Sequence, residues 1–179
     1  MNEPKPLTVF AGPEGSGTTY LWKCFCHSNR IAIRANTWWT DHDRSVDPVQ
    51  TAASLEGTKG RKPSLRLLHL SLPSLRPARW MDEIDHRIDA QNSRFVAVIR
   101  ENRFAVRSTY RRFGKNRSTS HVEQRQFNQA ISYIFGTLVE NFETMIVQYT
   151  QLGDENTRSQ LEAFVGMKAD WLPFENKNV

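Results

Sequence analysis

Apolar residues along the chain follow two patterns that alternate with each other. Short apolar runs predict buried strands, and stretches with apolar residues three or four positions apart predict helices. The predicted strands cover residues 7–11, 30–35, 65–72, 95–99 and 145–149. The predicted helices cover residues 17–27, 77–88, 102–113, 127–142 and 156–165. The polar stretch 44–64 and the basic stretch 115–125 are predicted to be loops.

An alternation of strands and helices without internal repeats favours a parallel sheet covered by helices on both faces. The chain has 179 residues, of which 39% are hydrophobic, and this is the size of one ordinary domain. We therefore predict a single α/β domain over residues 1–179, with three layers and a central parallel sheet of about five strands flanked by helices. In such sheets, ligands bind at the carboxyl ends of the strands.

The charge balance favours anionic ligands. The chain carries 24 Lys and Arg residues against 19 Asp and Glu, for a net charge of +5. Nucleotides, acidic glycans and nucleic acids all fit this charge, but nucleic-acid binding rests on charge alone.

Two further features concern the cellular location. Cys24 and Cys26 stand two positions apart in a predicted helix, where their side chains diverge, and this favours reduced thiols. No run approaches the ~18 apolar residues of a membrane span, and residues 1–6 lack the apolar stretch of a signal peptide. We therefore expect a cytoplasmic protein with no membrane partner.

A glycine-rich segment between the first strand and the first helix is the strongest candidate site. Small residues there allow backbone N–H groups to turn inward, and the helix N-terminus adds the positive end of its dipole, so the segment suits a phosphate. Its spacing approaches the Walker pattern G-x-x-x-x-G-K followed by S or T, but Thr18 takes the lysine position. A tight turn without a ligand is the structural alternative. The segment consists of Gly12, Pro13, Glu14, Gly15, Ser16, Gly17, Thr18 and Thr19.

A second candidate follows the predicted strand 95–99. Arg100 stands at the carboxyl end of this strand, and Ser108 stands eight residues later, two turns along the next predicted helix. Taken singly, each residue has a simpler explanation. Arg100 would be a solvated surface charge, and Ser108 would be a helix serine without a functional role. Taken with the glycine-rich segment, they indicate a second anion contact at the same edge of the sheet.

These two segments together resemble the sulfotransferases that use 3′-phosphoadenosine 5′-phosphosulfate. In that family, an arginine that ends a strand and a serine eight residues later bind the 3′-phosphate, which is the spacing of Arg100 and Ser108. The family's 5′-phosphosulfate loop, P-K/R-S-G-T-T-W/Y-L, is similar to the run Ser16-Gly17-Thr18-Thr19-Tyr20-Leu21. Weaker similarities lie at residues 69–73, 147–152 and 160–166. The resemblance implies a P-loop-like fold, this nucleotide as cofactor, adenosine 3′,5′-bisphosphate as product, and no metal.

The chain departs from the family at the catalytic cation. Gly15 stands where the family usually has a lysine or arginine, next to Glu14. Sulfuryl transfer builds negative charge on the bridging oxygen of the leaving nucleotide, so a nearby cation should matter. We expect either a residue distant in sequence, such as Arg103 or Lys115, or the backbone N–H groups to provide this stabilisation.

The chain also departs from the family at the acceptor base. Ser71 stands where cytosolic members have a histidine, and His69 shares its strand face. Other members use a glutamate near the end of the second strand, where Asp41 and His42 stand here. A histidine with a pKa near ~6.5 suits proton abstraction near neutrality, and a carboxylate with a raised pKa can also serve. The candidates for the base are His42 or Asp41, ahead of His69.

The sequence therefore predicts a sulfotransferase. Its acceptor is an unidentified carbohydrate or small molecule with a hydroxyl or amine. Two alternatives stay open. One is a small P-loop kinase in which Thr19 ligates Mg²⁺, and the other is a nucleotide-binding protein without catalytic activity.

Overall fold

The computed structural model describes residues 7–28, 66–72, 93–113 and 120–176. Its strands are β1 (Leu7–Pro13), β2 (Arg66–Leu72), β3 (Arg94–Ile99) and β4 (Glu143–Gln148). Its α-helices are α1 (Thr18–Ser28), α2 (Asn102–Phe113), α3 (Ser120–Tyr133), α4 (Val139–Asn141) and α5 (Glu155–Val165). A π-helical turn, Ile134–Leu138, joins α3 to α4, and a 3₁₀ helix, Tyr149–Gly153, precedes α5.

The four described strands form one parallel sheet in the order β2-β1-β3-β4. The parallel α/β architecture predicted from the sequence is confirmed. All four carboxyl ends therefore lie at the same edge of the sheet, where β1 leads into the glycine-rich segment and β3 leads into Arg100. The predicted strand 30–35, the predicted helix 77–88 and the predicted loop 44–64 lie outside the described residues, so a fifth strand stays a prediction.

Helices pack against both faces of this sheet. Along the central strands β1 and β3, successive side chains point to opposite faces, because the side-chain period of a strand is two. Val9 and Phe95 face a cluster that includes Ile134 and Leu138, at the end of the long helical stretch. On the other face, Phe10 and Val96 of the sheet pack against α1, α5 and the C-terminal segment, residues 167–176. Leu21, Phe25 and Leu161 are fully buried in this cluster.

The start of α3 corrects one prediction. The basic stretch 115–125 was expected to be a loop, but its residues from Ser120 onward are helical. Ser120-His121-Val122-Glu123 has the S-x-x-E pattern of a helix start, and the charges around it obscured this signal.

The end of β4 differs by one residue from the prediction. Tyr149 does not extend β4 but opens the 3₁₀ helix. The strand stops there because the Gln151 side chain accepts a hydrogen bond from the backbone N–H of Gln148, at 3.1 Å, and forms a capping box. The last helix ends as predicted, since Gly166 adopts the left-handed conformation, with φ of 77°.

Among the described helices, none has both the length and the apolar character needed to cross a membrane.

The packing of α5 generates a stability prediction. Leu161 is fully buried, while its neighbour Gln160 is exposed. We expect Leu161→Ala to lower the free energy of unfolding by about 2–5 kcal/mol, because it removes buried contacts and leaves a cavity. Gln160→Ala, on the same helix, should change this free energy by less than about 0.5 kcal/mol. Urea denaturation, monitored by circular dichroism, measures the free energy of unfolding of both variants. Equal decreases in the two variants would contradict the assignment of α5 to the core.

Candidate functional site

The glycine-rich segment forms a tight turn from β1 into α1. The Ser16 N–H donates a hydrogen bond to the Pro13 carbonyl at 3.0 Å, and the Gly17 carbonyl accepts the first hydrogen bonds of α1, from Tyr20 and Leu21, at 3.1 and 3.2 Å. Gly15 and Gly17 have φ of 79° and 102°, which residues with side chains rarely adopt. The sequence therefore needs glycine at both positions to make this turn.

Neighbouring backbone and side chains press closely on the turn. A Cβ atom on Gly15 would lie 2.7 Å from the Ala105 carbonyl oxygen of α2, and one on Gly17 would lie 2.6 Å from the Cδ2 atom of the Tyr149 ring. The turn is thus held between the helix that follows β3 and the residue that follows β4. Steric packing and backbone conformation both account for these glycines.

The Ser16 side chain is turned inward. Ser16 is fully buried, and its hydroxyl has no hydrogen-bond partner within the ranges that the structure describes. A Cβ atom on Gly12 would lie 2.5 Å from this hydroxyl oxygen and 2.4 Å from the Val98 carbonyl oxygen, so the hydroxyl lies over Gly12. An unmet buried hydroxyl costs about 1–3 kcal/mol, which an oxygen of a bound ligand would relieve.

The start of α1 places the remaining loop residues. Thr18 is buried, and Thr19 and Tyr20 are half-buried in the first turn of the helix. The Tyr20 hydroxyl donates to the Leu172 carbonyl at 2.7 Å, and burial, followed by the neighbouring Cys24, raises the pKa of Tyr20 to about 12. Tyr20 is therefore tied to the C-terminal segment by its hydroxyl.

Arg100 lies directly against the loop. It is 8% exposed, and its Nη1 atom donates a hydrogen bond to the Gly15 carbonyl at 2.9 Å. Its guanidinium carbon lies 4.2 Å from the centroid of the Tyr149 ring. Burial lowers the pKa of Arg100 from its ordinary value, and the neighbouring Tyr149 opposes this shift. The result is a desolvated cation at the carboxyl edge of the sheet.

Ser108 reaches the same place from α2. It is half-buried, and its Cβ atom would lie 3.2 Å from a Cβ atom on Gly15. The two residues that the sequence pairs by spacing, Arg100 and Ser108, therefore both lie next to Gly15. The structure brings the glycine-rich segment and this pair together at one edge.

Of the two cations considered as substitutes for the missing lysine, only Arg103 lies in the described residues. Its Nε atom forms an ion pair with the Glu101 Oε1 atom at 2.5 Å, and 73% of its side chain is exposed. Its guanidinium carbon lies 4.6 Å from the Phe104 ring centroid. Arg103 is thus held on the outer side of α2, whereas Arg100 contacts the loop itself. Lys115 lies outside the described residues.

Of the three candidates for the acceptor base, only His69 lies in the described residues. His42 and Asp41 lie outside the described residues. His69 belongs to β2, where it pairs in register with Phe10, and Ser71 pairs with Gly12. Ser71 therefore stands level with the start of the glycine-rich segment, and His69 stands two residues earlier along the strand. Within the described ranges, no three His, Cys, Asp or Glu residues lie together in an arrangement that could hold a metal ion.

The predicted site residues did not include two parts of this region. These parts are Tyr149 and the C-terminal segment 167–176. The Tyr149 hydroxyl donates to the Glu175 carbonyl at 3.0 Å, and the Phe174 ring lies 5.2 Å from the Tyr149 ring and 5.4 Å from the Tyr20 ring. The only sequence signal for Tyr149 as a site residue was the weak similarity of residues 147–152 to the sulfotransferases. The C-terminal segment has no periodicity that would have indicated its contacts.

No protein-family model matches the chain, and no curated protein matches it. The likeness to sulfotransferases rests on the motifs themselves.

The turn geometry generates a second stability prediction. We expect Gly17→Ala to lower the free energy of unfolding by more than about 1 kcal/mol, because its φ is unfavourable for alanine and its methyl group would meet the Tyr149 ring. Gly136, in the π-helical turn, has no atom within 4 Å of an added Cβ. Gly136→Ala should therefore raise this free energy by about 0.5–1 kcal/mol. Thermal unfolding measures the stability of both variants. Similar losses of stability at Gly17 and Gly136 would contradict the turn geometry described for Gly17.

Proposed function

We propose that the chain is a sulfotransferase that binds 3′-phosphoadenosine 5′-phosphosulfate between the glycine-rich segment and α2. The observation that carries the proposal is the meeting of three elements at Gly15: the loop, the buried cation Arg100 and the helix residue Ser108. A phosphate-binding turn and an anion-binding pair at one edge suit a nucleotide with phosphates on both sides of its ribose.

In this proposal, the 5′-phosphosulfate lies on backbone N–H groups of residues 15–19, other than that of Ser16, which donates to Pro13, at the positive end of α1. The inward hydroxyl of Ser16 supports this placement, because it is a buried donor without a partner among the described residues. Arg100 and Ser108 hold the 3′-phosphate. A guanidinium carries five N–H donors, so its bond to the Gly15 carbonyl is compatible with a paired contact to phosphate.

The bound donor supplies the sulfuryl group, whose bond to the bridging phosphate oxygen breaks as a bond to the acceptor oxygen or nitrogen forms. The electron pair of the broken bond stays with the leaving nucleotide, and the acceptor proton goes to the base. For this base we propose His42 or Asp41, ahead of His69. Charge on the leaving oxygen is met by the backbone N–H groups of the loop, at the positive end of α1.

A second candidate function is a nucleotide-binding protein without catalytic activity. Gly15 favours it, because this position provides no cationic side chain. A small P-loop kinase is the weaker candidate, since Thr18 replaces the Walker lysine.

Binding selectivity tests the nucleotide site. We expect calorimetry to show adenosine 3′,5′-bisphosphate binding about tenfold or more tightly than AMP, because only the former carries a phosphate for Arg100 and Ser108. ATP should also bind more weakly. Arg100→Ala should abolish the preference over AMP, while Arg103→Ala, which removes an exposed arginine nearby, should retain it. Equal or reversed affinities in the wild-type protein would overturn the proposal.

Transfer is separated from binding by incubating the protein with radiolabelled sulfate donor and a panel of glycans, phenols and small alcohols. Label on any acceptor supports the sulfotransferase. Tight binding of adenosine 3′,5′-bisphosphate without transfer to any of them supports the non-catalytic protein instead.

A further inference from the structure

Tyr149 occupies a position between the two proposed phosphate contacts. It follows β4 and is 7% exposed. One face of its ring receives the guanidinium of Arg100, whose carbon lies 4.2 Å from the ring centroid. Its Cδ2 and Cε2 atoms lie where a side chain on Gly17 would stand, at 2.6 and 2.9 Å from an added Cβ. One ring therefore borders both the cation and the turn.

The ring contact matters because Arg100 is buried. A guanidinium removed from water loses hydration, and the negative face of an aromatic ring replaces part of that loss. The Phe104 ring is more distant, at 5.9 Å from the guanidinium carbon, so its attraction is weaker. The Tyr149 ring thus favours the side-chain position in which Arg100 reaches the Gly15 carbonyl.

The hydroxyl of Tyr149 serves a different contact. It donates to the Glu175 carbonyl at 3.0 Å, in the C-terminal segment. The ring and the hydroxyl therefore contact different parts of the molecule, and substitutions can separate them.

The geometry points to Tyr149 as a positioning residue of the nucleotide site: its ring holds Arg100 and Gly17 in the arrangement that binds both phosphates. The inference rests on the proposed function, since the nucleotide is the one proposed above. The hydroxyl anchors the C-terminal segment and is dispensable for binding.

The test compares adenosine 3′,5′-bisphosphate binding by calorimetry in the full chain and two variants. Tyr149→Phe keeps the ring and should bind within about twofold of the wild-type protein. Tyr149→Leu removes the ring and should bind about tenfold or more weakly, with a reduced preference over AMP. A purely structural role would lower the unfolding temperature of Tyr149→Leu without changing the affinity of its folded fraction.

A second measurement needs no nucleotide. The side-chain proton on Nε of Arg100 should show an upfield ring-current shift by NMR in the wild-type protein and in Tyr149→Phe. This shift tests the contact between the ring and the guanidinium even if the leucine variant does not fold.

The outcomes separate the two proposals. A wild-type protein that does not bind adenosine 3′,5′-bisphosphate overturns the proposed function. Normal binding by Tyr149→Leu, or binding by Tyr149→Phe that is as weak as by Tyr149→Leu, overturns the positioning role and leaves the function standing. Absence of the ring-current shift in the wild-type protein overturns the positioning role whether or not nucleotide binds.

Discussion

The hydrogen bond from the Arg100 guanidinium to the Gly15 carbonyl is the interaction on which the candidate site depends. Arg100 ends β3, and Gly15 lies in the turn after β1, so this bond joins the carboxyl ends of two adjacent strands. It is possible because β1 and β3 are parallel and in a register that pairs Ala11 with Ala97. The register brings the end of each strand to the same edge, and the buried arginine then fixes the turn against α2.

A buried cation needs compensating partners, and these explain the residues around it. The Gly15 carbonyl accepts one of its hydrogen bonds, and the Tyr149 ring covers its face. The Tyr149 hydroxyl in turn donates a hydrogen bond to the Glu175 carbonyl of the C-terminal segment. Contacts therefore run from the C-terminal segment through Tyr149 and Arg100 to the turn. Gly15 takes part through its backbone carbonyl, since it has no side chain.

Local sequence signals predicted most of the described fold. The apolar run 95–99 and Gly166 are recognisable alone, since strand burial and a left-handed helix end are decided within a few residues. The pairing of Arg100 with the glycine-rich segment was also predictable, because strand ends in a parallel sheet must meet. The role of Tyr149 was not, since it depends on contacts between residues far apart in sequence. The start of α3 at Ser120 was missed because basic composition outweighed its S-x-x-E pattern.

The most direct test is a crystal structure of the protein with adenosine 3′,5′-bisphosphate, in which the two phosphorus atoms are located from their density. We predict that the 5′-phosphate lies on backbone N–H groups of residues 15–19, other than that of Ser16, and that the 3′-phosphate lies beside Arg100 and Ser108. A nucleotide bound in the opposite orientation, or away from Arg100, would contradict it.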